Sequence, residues 1–411
     1  IWAVFTWVSQ EVRYLGLTVE TESPGYEPHD ASMTFDRRAG VCRDKAALLV
    51  AMLRIAGFEA FPVLINQGHQ VDPDVPMVFF DHAITGARLA DGSILLMDPT
   101  NESAAEFLPP YLNNKSYLIA MEQGDDLRVS PIEPPEQHMM SIATTGELTP
   151  EGGIAAETTL AFNGINDAIY RNYFASMTPT ERRDFFEERL KDLVPGAVIT
   201  SFSLSPANML DTNEPLEATI AYTTPDMRIM GNEAVLMPIP HLGEGIGMAR
   251  LLMGMMSLDE RRYPIDTEFV CGVEETLTLD LGDSVGQVLS LPDYQTSETE
   301  AATLYRDMSV ENNVLTAVDR FVLKLPEYSP EQYQELKDLA RMSEANNRAM
   351  PIFAPGQANA PLPAEEIIPV DDPEPDAVIL YDDTQVEIHD PHSWTLTRRV
   401  KIEVITYLGT D

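Results

Sequence analysis

The chain has 411 residues, 44% of them hydrophobic, which is too long for one ordinary core and is expected to form two or three domains. It has 66 acidic against 27 basic residues, a formal charge of −39, which repels nucleic acid and anionic lipid and disfavours both as partners. No apolar run reaches the ~18 residues a membrane helix needs, and two cysteines, Cys42 and Cys271, are too few for a disulfide framework.

In chain order, "IWAVFTWVSQEVRY" predicts a helix already under way at Ile1 and ending near Tyr14. The last residues, "VITYLGTD", stop inside a strand pattern, so the sequence is expected to be a piece of a longer protein. A loop, "ETESPGYEPHDAS", follows the first helix. Next, Cys42, Ala46, Leu49, Val50 and Leu53 recur at i, i+4, i+7, i+8 and i+11, one face of a helix that Gly57 terminates. The strand "EAFPVLI" and a polar loop, "NQGHQVDPDVP", lead into two more strands, "MVFFDHAITGARL" and "SILLMDPT".

After "PIEPPEQ" the pattern turns to alternating strands such as "GGIAAETTLAF" and "EPLEATIAY", from Ser141 to about Lys324. One helix is expected to interrupt them: Thr178 with Glu181 forms a capping box, Pro179 sits at the first helical position, and Gly196 follows the end. Ser329, Pro330 and Gln332 repeat that opening ahead of a terminal helix. Residues 351–375 hold seven prolines and predict a linker, after which period-2 strands resume. The Met-rich "GMARLLMGMM" reads as a core helix or a soft apolar surface, and Cys271 as a buried thiol in a strand.

The chemistry concentrates on three residues. Cys42 falls at a helix N-terminus, where unpaired N–H groups and the macrodipole favour a thiolate, and Gly40 lets the chain turn tightly before it. The same N–H groups could hold an oxyanion. His82 lies in one strand and Asp98 near the end of the next. A two-residue Asp91-Gly92 turn would put their side chains on opposite faces. A three-residue loop, Ala90-Asp91-Gly92, with Gly92 left-handed, pairs Leu89 with Ser93 and sets Asp98 opposite Ile84, on the face of His82. In that register Cys42 can serve as nucleophile, His82 as its base and Asp98 as the group that orients the imidazole. Each residue singly has an ordinary structural reading: a buried thiol, a half-buried strand histidine, a turn cap. His69, Asp72 and Asp74 match no metal loop and read as a solvated loop.

"AGVCRDKAALLVAMLRIAGFEAFPVLI", "FDHAI" and "ADGSILLMDPT" resemble the core of the transglutaminase-like superfamily. The upstream "VRYLGL" and "GYEP" are similar to bacterial members whose core is flanked by β domains. The resemblance implies a papain-like Cys-His-Asp scaffold over about the first 120 residues, with Cys42, His82 and Asp98 in the catalytic roles. An upstream residue would complete the oxyanion hole, for which Tyr14 is a candidate. Val41 and Arg43 stand where many relatives have an acidic residue and a lysine. Ile84 stands where an aromatic often follows "HA". These departures touch substrate preference and not the three residues.

The expected architecture is α+β. A transglutaminase-like core (1–138) precedes a β-rich, sandwich-like domain with a helical insertion (139–349), a Pro-rich linker (350–375) and the first strands of another β domain (376–411). The expected activity is cysteine-dependent acyl transfer on an amide or peptide carbonyl through a thioester, ending in transamidation or hydrolysis. The partner is then a protein or peptide carrying a carboxamide, with an amine as possible co-substrate. No metal or organic cofactor is implied. The resemblance alone suggests a periplasmic or extracellular setting. The competing reading is a non-catalytic binding or scaffold module of a surface protein.

Overall fold

Phe5 and Val8, three apart and fully buried, give the first helix its inward stripe, and the helix α1 spans Trp2–Glu11. A computed structural model describes residues 1–16, 27–75, 80–231, 233–356, 377–390 and 393–404. It falls into two compact units, residues 1–359 and 360–411.

α1 stops at Glu11, short of the expected end, because Arg13–Tyr14 (β1) turns extended and pairs in parallel with Ala39–Gly40 (β2). Residues 17–26, which include the first part of the expected loop, lie outside the described residues. Its end is helical: α2 (Ala31–Arg37) starts at Asp30, whose carboxylate accepts the Ser32 N–H at 2.8 Å. α3 (Cys42–Ile55) follows and ends in a Schellman motif, with Phe58 N–H donating to the Leu53 carbonyl and Gly57 left-handed at φ 89°.

A five-stranded antiparallel sheet lies against α3. It is built from β3 (Ala60–Ile65), β4 (His82–Arg88), β5 (Ile94–Met97), β6 (Ser116–Ile119) and β7 (Arg128–Val129), in the order β5-β4-β3-β6-β7. Residues 76–79, the expected beginning of the β4 strand, lie outside the described residues. Leu48, Leu49, Val50 and Leu53 of α3 share one core with Phe5 and Val8 of α1 and with Ala60, Ala87 and Met97 of the sheet. Thr85 Oγ1 donates to the Ala46 carbonyl at 3.1 Å, pinning β4 to the first turns of α3.

From residue 139 an eight-stranded sheet takes over. Its members are β8 (Met139–Leu148), β9 (Ile154–Phe162), β10 (Val198–Ser205), β11 (Leu216–Thr223), β15 (Cys271–Asp280), β17 (Ser297–Glu298), β18 (Ala302–Glu311) and β19 (Val314–Leu323). The order is β10-β11-β9-β8-β15-β19-β18-β17, with only β8 and β15 parallel. Alternate residues along β9, β11 and β15 are buried, so one face meets a core and the other faces outward. The covering layer is mostly helical, in place of the expected sandwich: α4 (Ile165–Ala175), α5 (Pro179–Leu193), α6 (Met248–Met255) and α7 (Pro330–Arg348) supply buried side chains to that core. The insertion between β9 and β10 is thus two helices where one was expected.

A small sheet of β12 (Ile229–Met230), β13 (Val235–Leu236), β16 (Val285–Ser290) and β21 (Ile352–Pro355) adds Val235, Val285 and Phe353 to the same core. β21 falls inside the stretch assigned to the linker, because Pro351 and Pro355 bracket the strand instead of interrupting it. Residues 357–376 lie outside the described residues. β14 (Ile265–Asp266) pairs with β20 (Glu327–Tyr328). In the second unit, β22 (Ala377–Asp390) and β23 (Ser393–Val404) form an antiparallel hairpin.

Candidate active site

Val41 is the N-cap of α3 and has no side-chain oxygen to offer the first turn. Asp44 does the capping from inside the helix. One of its oxygens accepts the Val41 N–H at 3.1 Å, and the other accepts the His29 N–H at 2.9 Å and lies 3.1 Å from His29 Nδ1. Asp44 is buried, so these bonds set the path by which the chain enters the helix. The Cys42 and Arg43 N–H groups, which have no acceptor within a helix by geometry, are left at the opening turn beside the Cys42 sulfur.

Gly40 is required by that packing. A Cβ there would fall 2.7 Å from Asp44 Cβ and 3.3 Å from Thr34 Cγ2. Gly40→Ala should therefore displace the first turn, cost ~1–3 kcal/mol and slow alkylation of Cys42. Thermal unfolding and the alkylation rate check this, and an unchanged rate with unchanged stability would refute it.

The β4–β5 connection is the three-residue loop. Leu89 N–H donates to the Ser93 carbonyl at 2.9 Å, Gly92 is left-handed at φ 86°, and the ladder runs through Arg88↔Ile94 to Thr85↔Met97. His82 and Asp98 consequently reach each other: His82 Nε2 lies 3.0 Å from Asp98 Oδ2, both side chains buried. Asp98 also caps its own turn, since Oδ1 accepts the Thr100 N–H at 3.0 Å and the Thr100 hydroxyl at 2.7 Å. The turn cap and the contact to the imidazole thus use different oxygens of one carboxylate.

Cys42 is half-buried and hydrogen-bonds to His82. With Nε2 turned to Asp98, the ring's Nδ1 is left for the thiol. Burial alone pushes the Cys42 thiol up. The His82 hydrogen bond and charge, aided by the N–H groups of Ala83 and Arg43, outweigh it and hold the thiol below its ordinary value. For His82, burial opposes the charged ring, but the bonds to Asp98 and Cys42 raise its pKa to about 10. The set favours a thiolate beside an imidazolium. Cys271 is fully buried in β15, where burial pushes its thiol far up, and it is inert by comparison.

Two further residues bear on the site: Lys45, which escaped the sequence pattern, and Tyr14, the candidate for the oxyanion hole. Lys45 is fully buried, and its ammonium donates to the carbonyls of Ser9 (3.0 Å) and Val12 (2.5 Å), satisfying the end of α1 and fixing where β1 begins. Burial, against the charges of Glu102 and Asp98, lowers its pKa to about 8. Tyr14, held beside Gly40 by the β1–β2 pairing, is close enough to feel the charges of Cys42 and Asp98; with burial, these raise its hydroxyl pKa.

Among the described residues one group has metal-ligand spacing: His241, Glu275 and Asp319, with ligand atoms within 4.8 Å of one another. Its oxygens are mostly engaged. Glu275 accepts the N–H groups of Leu242 and Gly243, and Asp319 Oδ2 accepts both Arg250 and Arg306. Two guanidinium groups on one carboxylate repel a divalent cation, so the cluster is an ion-pair network under α6. No helix among the described residues is long and apolar enough to cross a membrane.

Residues 1–91 match the family model of the transglutaminase-like superfamily, a segment that includes Cys42 and His82 and ends before Asp98. No curated protein matches the sequence. A solved structure from Parabacteroides distasonis ATCC 8503, described as "a putative protease", is similar at 13% identity and a TM-score of 0.48. The similarity covers 85% of this chain and 50% of that one, so the chain spans half the length of that protein.

Proposed function

We propose, from the match of residues 1–91 to the transglutaminase-like superfamily model, that the chain performs cysteine-dependent acyl transfer on a carboxamide or peptide carbonyl. Cys42 is the nucleophile, His82 the acid and base, and Asp98 the orienting group. The observation that supports this reading most is the 3.0 Å contact between His82 Nε2 and Asp98 Oδ2, with Cys42 hydrogen-bonded to the same imidazole.

In the first half-reaction the Cys42 thiolate adds to the carbonyl carbon, forming a C–S bond and an oxyanion. The Cys42 N–H at the helix opening, with the Tyr14 side chain as second candidate donor, would stabilise it. The imidazolium passes its proton to the departing amine as the C–N bond breaks, leaving a thioester and a neutral imidazole. In the second half, His82 takes a proton from water or an amine as it attacks the thioester, and the thiolate–imidazolium pair returns. Water yields hydrolysis and an amine yields transamidation.

The direct test is acylation by p-nitrophenyl acetate followed by mass spectrometry of the intact chain and its peptides. The expected result is an acetyl adduct on Cys42, absent from Cys42→Ala and released by hydroxylamine. An adduct elsewhere, or none while the protein is folded, would overturn the assignment.

A further inference from the structure

Lys115 presents an anomaly that the proposed chemistry does not use. It is 3% exposed, and among the described residues the only partner of its ammonium is Asp266 Oδ2 at 3.7 Å, an ion-pair separation beyond hydrogen-bond reach. An ammonium has three donors, and at this separation none of them is spent on a protein acceptor. Asp266 cannot supply more. Its Oδ1 accepts the Glu268 N–H at 2.7 Å, and its Oδ2 is shared with His69 Nδ1 at 3.4 Å.

The side chain opens on a cleft of about 380 Å³, walled on one side by Gln67, Gly68 and His69 and on the other by Arg261 and Asp266. Arg261 forms no ion pair among the described residues. Its Nε donates to the Tyr263 carbonyl at 3.3 Å, and its guanidinium lies 5.6 Å from the centre of the Tyr333 ring. Asp266 and Glu268 also line this cleft, yet it holds an arginine outside any ion pair among the described residues and a lysine with unspent donors, which together can take an anion from outside.

We propose that this cleft binds a carboxylate, with the Lys115 ammonium as its anchor and the Arg261 guanidinium as the second contact. A carboxylate fits the donor set because it offers four lone-pair sites, enough to satisfy Lys115 and accept from Arg261. Glu268 on the rim, held left-handed at φ 69°, disfavours ligands of higher negative charge such as phosphate. The cleft is also linked to the candidate active site through the chain. Its loop leaves β3 at Ile65, which pairs with His82, and the Gln67 N–H donates to Asp81 at 2.8 Å. The binding itself does not depend on chemistry at Cys42.

The test is titration calorimetry on the full chain at fixed ionic strength, with Cys42→Ala run in parallel to separate binding from turnover. The probes are acetate, N-acetylglycine as the mimic of a peptide C-terminus, and N-acetylglycinamide as its neutral counterpart. Saturable binding of the carboxylates and not the amide is expected, with a loss of roughly tenfold or more in Arg261→Gln and in Lys115→Met. Tighter binding of N-acetylglycine than of acetate would assign the site to peptide ends, and equal binding to a bare carboxylate. Arg261→Gln is at the cleft rim, so it reports even if Lys115→Met fails to fold. Saturation by the amide as well as by the acids, no binding by either acid, or carboxylate binding unchanged in Arg261→Gln, would overturn the proposal.

Discussion

Asp98→Asn is expected to leave the protein folded while slowing acylation of Cys42 by p-nitrophenyl acetate by roughly 10²–10⁴. The substitution keeps the shape of the side chain and can keep the carbonyl oxygen on the Thr100 N–H and hydroxyl, which now bond Oδ1 at 3.0 and 2.7 Å. What changes is the group facing His82 Nε2, where a carboxylate oxygen lies at 3.0 Å. An amide NH₂ in that place donates to Nε2 and forces the proton onto Nδ1. The ring then presents N–H to the thiol where a base is needed, and the imidazolium loses its counter-charge. Asp98→Ala is a weaker test, because it removes the turn cap together with the contact to His82. A stable Asp98→Asn protein that acylates at the wild-type rate would remove Asp98 from the mechanism.

The position of Cys42 was legible because a helix that starts at a cysteine leaves a periodic trace: Ala46, Leu49, Val50 and Leu53 are all buried, and Gly57 marks the end. The His82–Asp98 contact was legible through turn chemistry, since Ala-Asp-Gly places glycine where positive φ is needed and the loop fixes the register. What escaped had charged residues pointing inward. Asp44 and Lys45 are polar by pattern, yet both are buried, engaged by backbone groups from α1 and from residue 29 that are distant in sequence. α4 was missed for the same reason. Arg171 and Asp167 form an i, i+4 pair on the buried face, with 2.7 Å bonds, and Arg171 also satisfies the Met209, Asp211 and Glu214 carbonyls. That reverses the polarity by which an amphipathic helix is recognised. The pairing of Tyr14 with Gly40 joins strands of two residues each, too short to leave any alternation.

Removing the imidazole should have an equally large effect, read at the sulfur. Alkylation of Cys42 by iodoacetamide should remain fast well below the ordinary thiol pKa, and His82→Ala should slow it by roughly 10–10² at pH 6. Burial acts on the thiol in the opposite direction from His82, so losing the histidine leaves burial unopposed and the pKa rises. The spread allows for a low-pKa thiolate being a weaker nucleophile than an ordinary one. Cys271, fully buried and shifted far upward, is the internal control and should stay unlabelled while the fold is intact.

The same pair predicts a stability signature. The folded pKa of His82 is raised from 6.5 to about 10, so its contribution is fully present below about 6.5 and is lost as pH rises through about 10. His82→Ala should flatten that part of the stability curve. Cys42→Ser should reduce the span without abolishing it, because the Asp98 contact remains. If Cys42 instead alkylates no faster than Cys271 in the native protein, and the alkaline loss of stability is the same with and without His82, the thiolate–imidazolium pair does not form. Cys42 would then be a helix-face thiol, and the binding-module reading would replace catalysis.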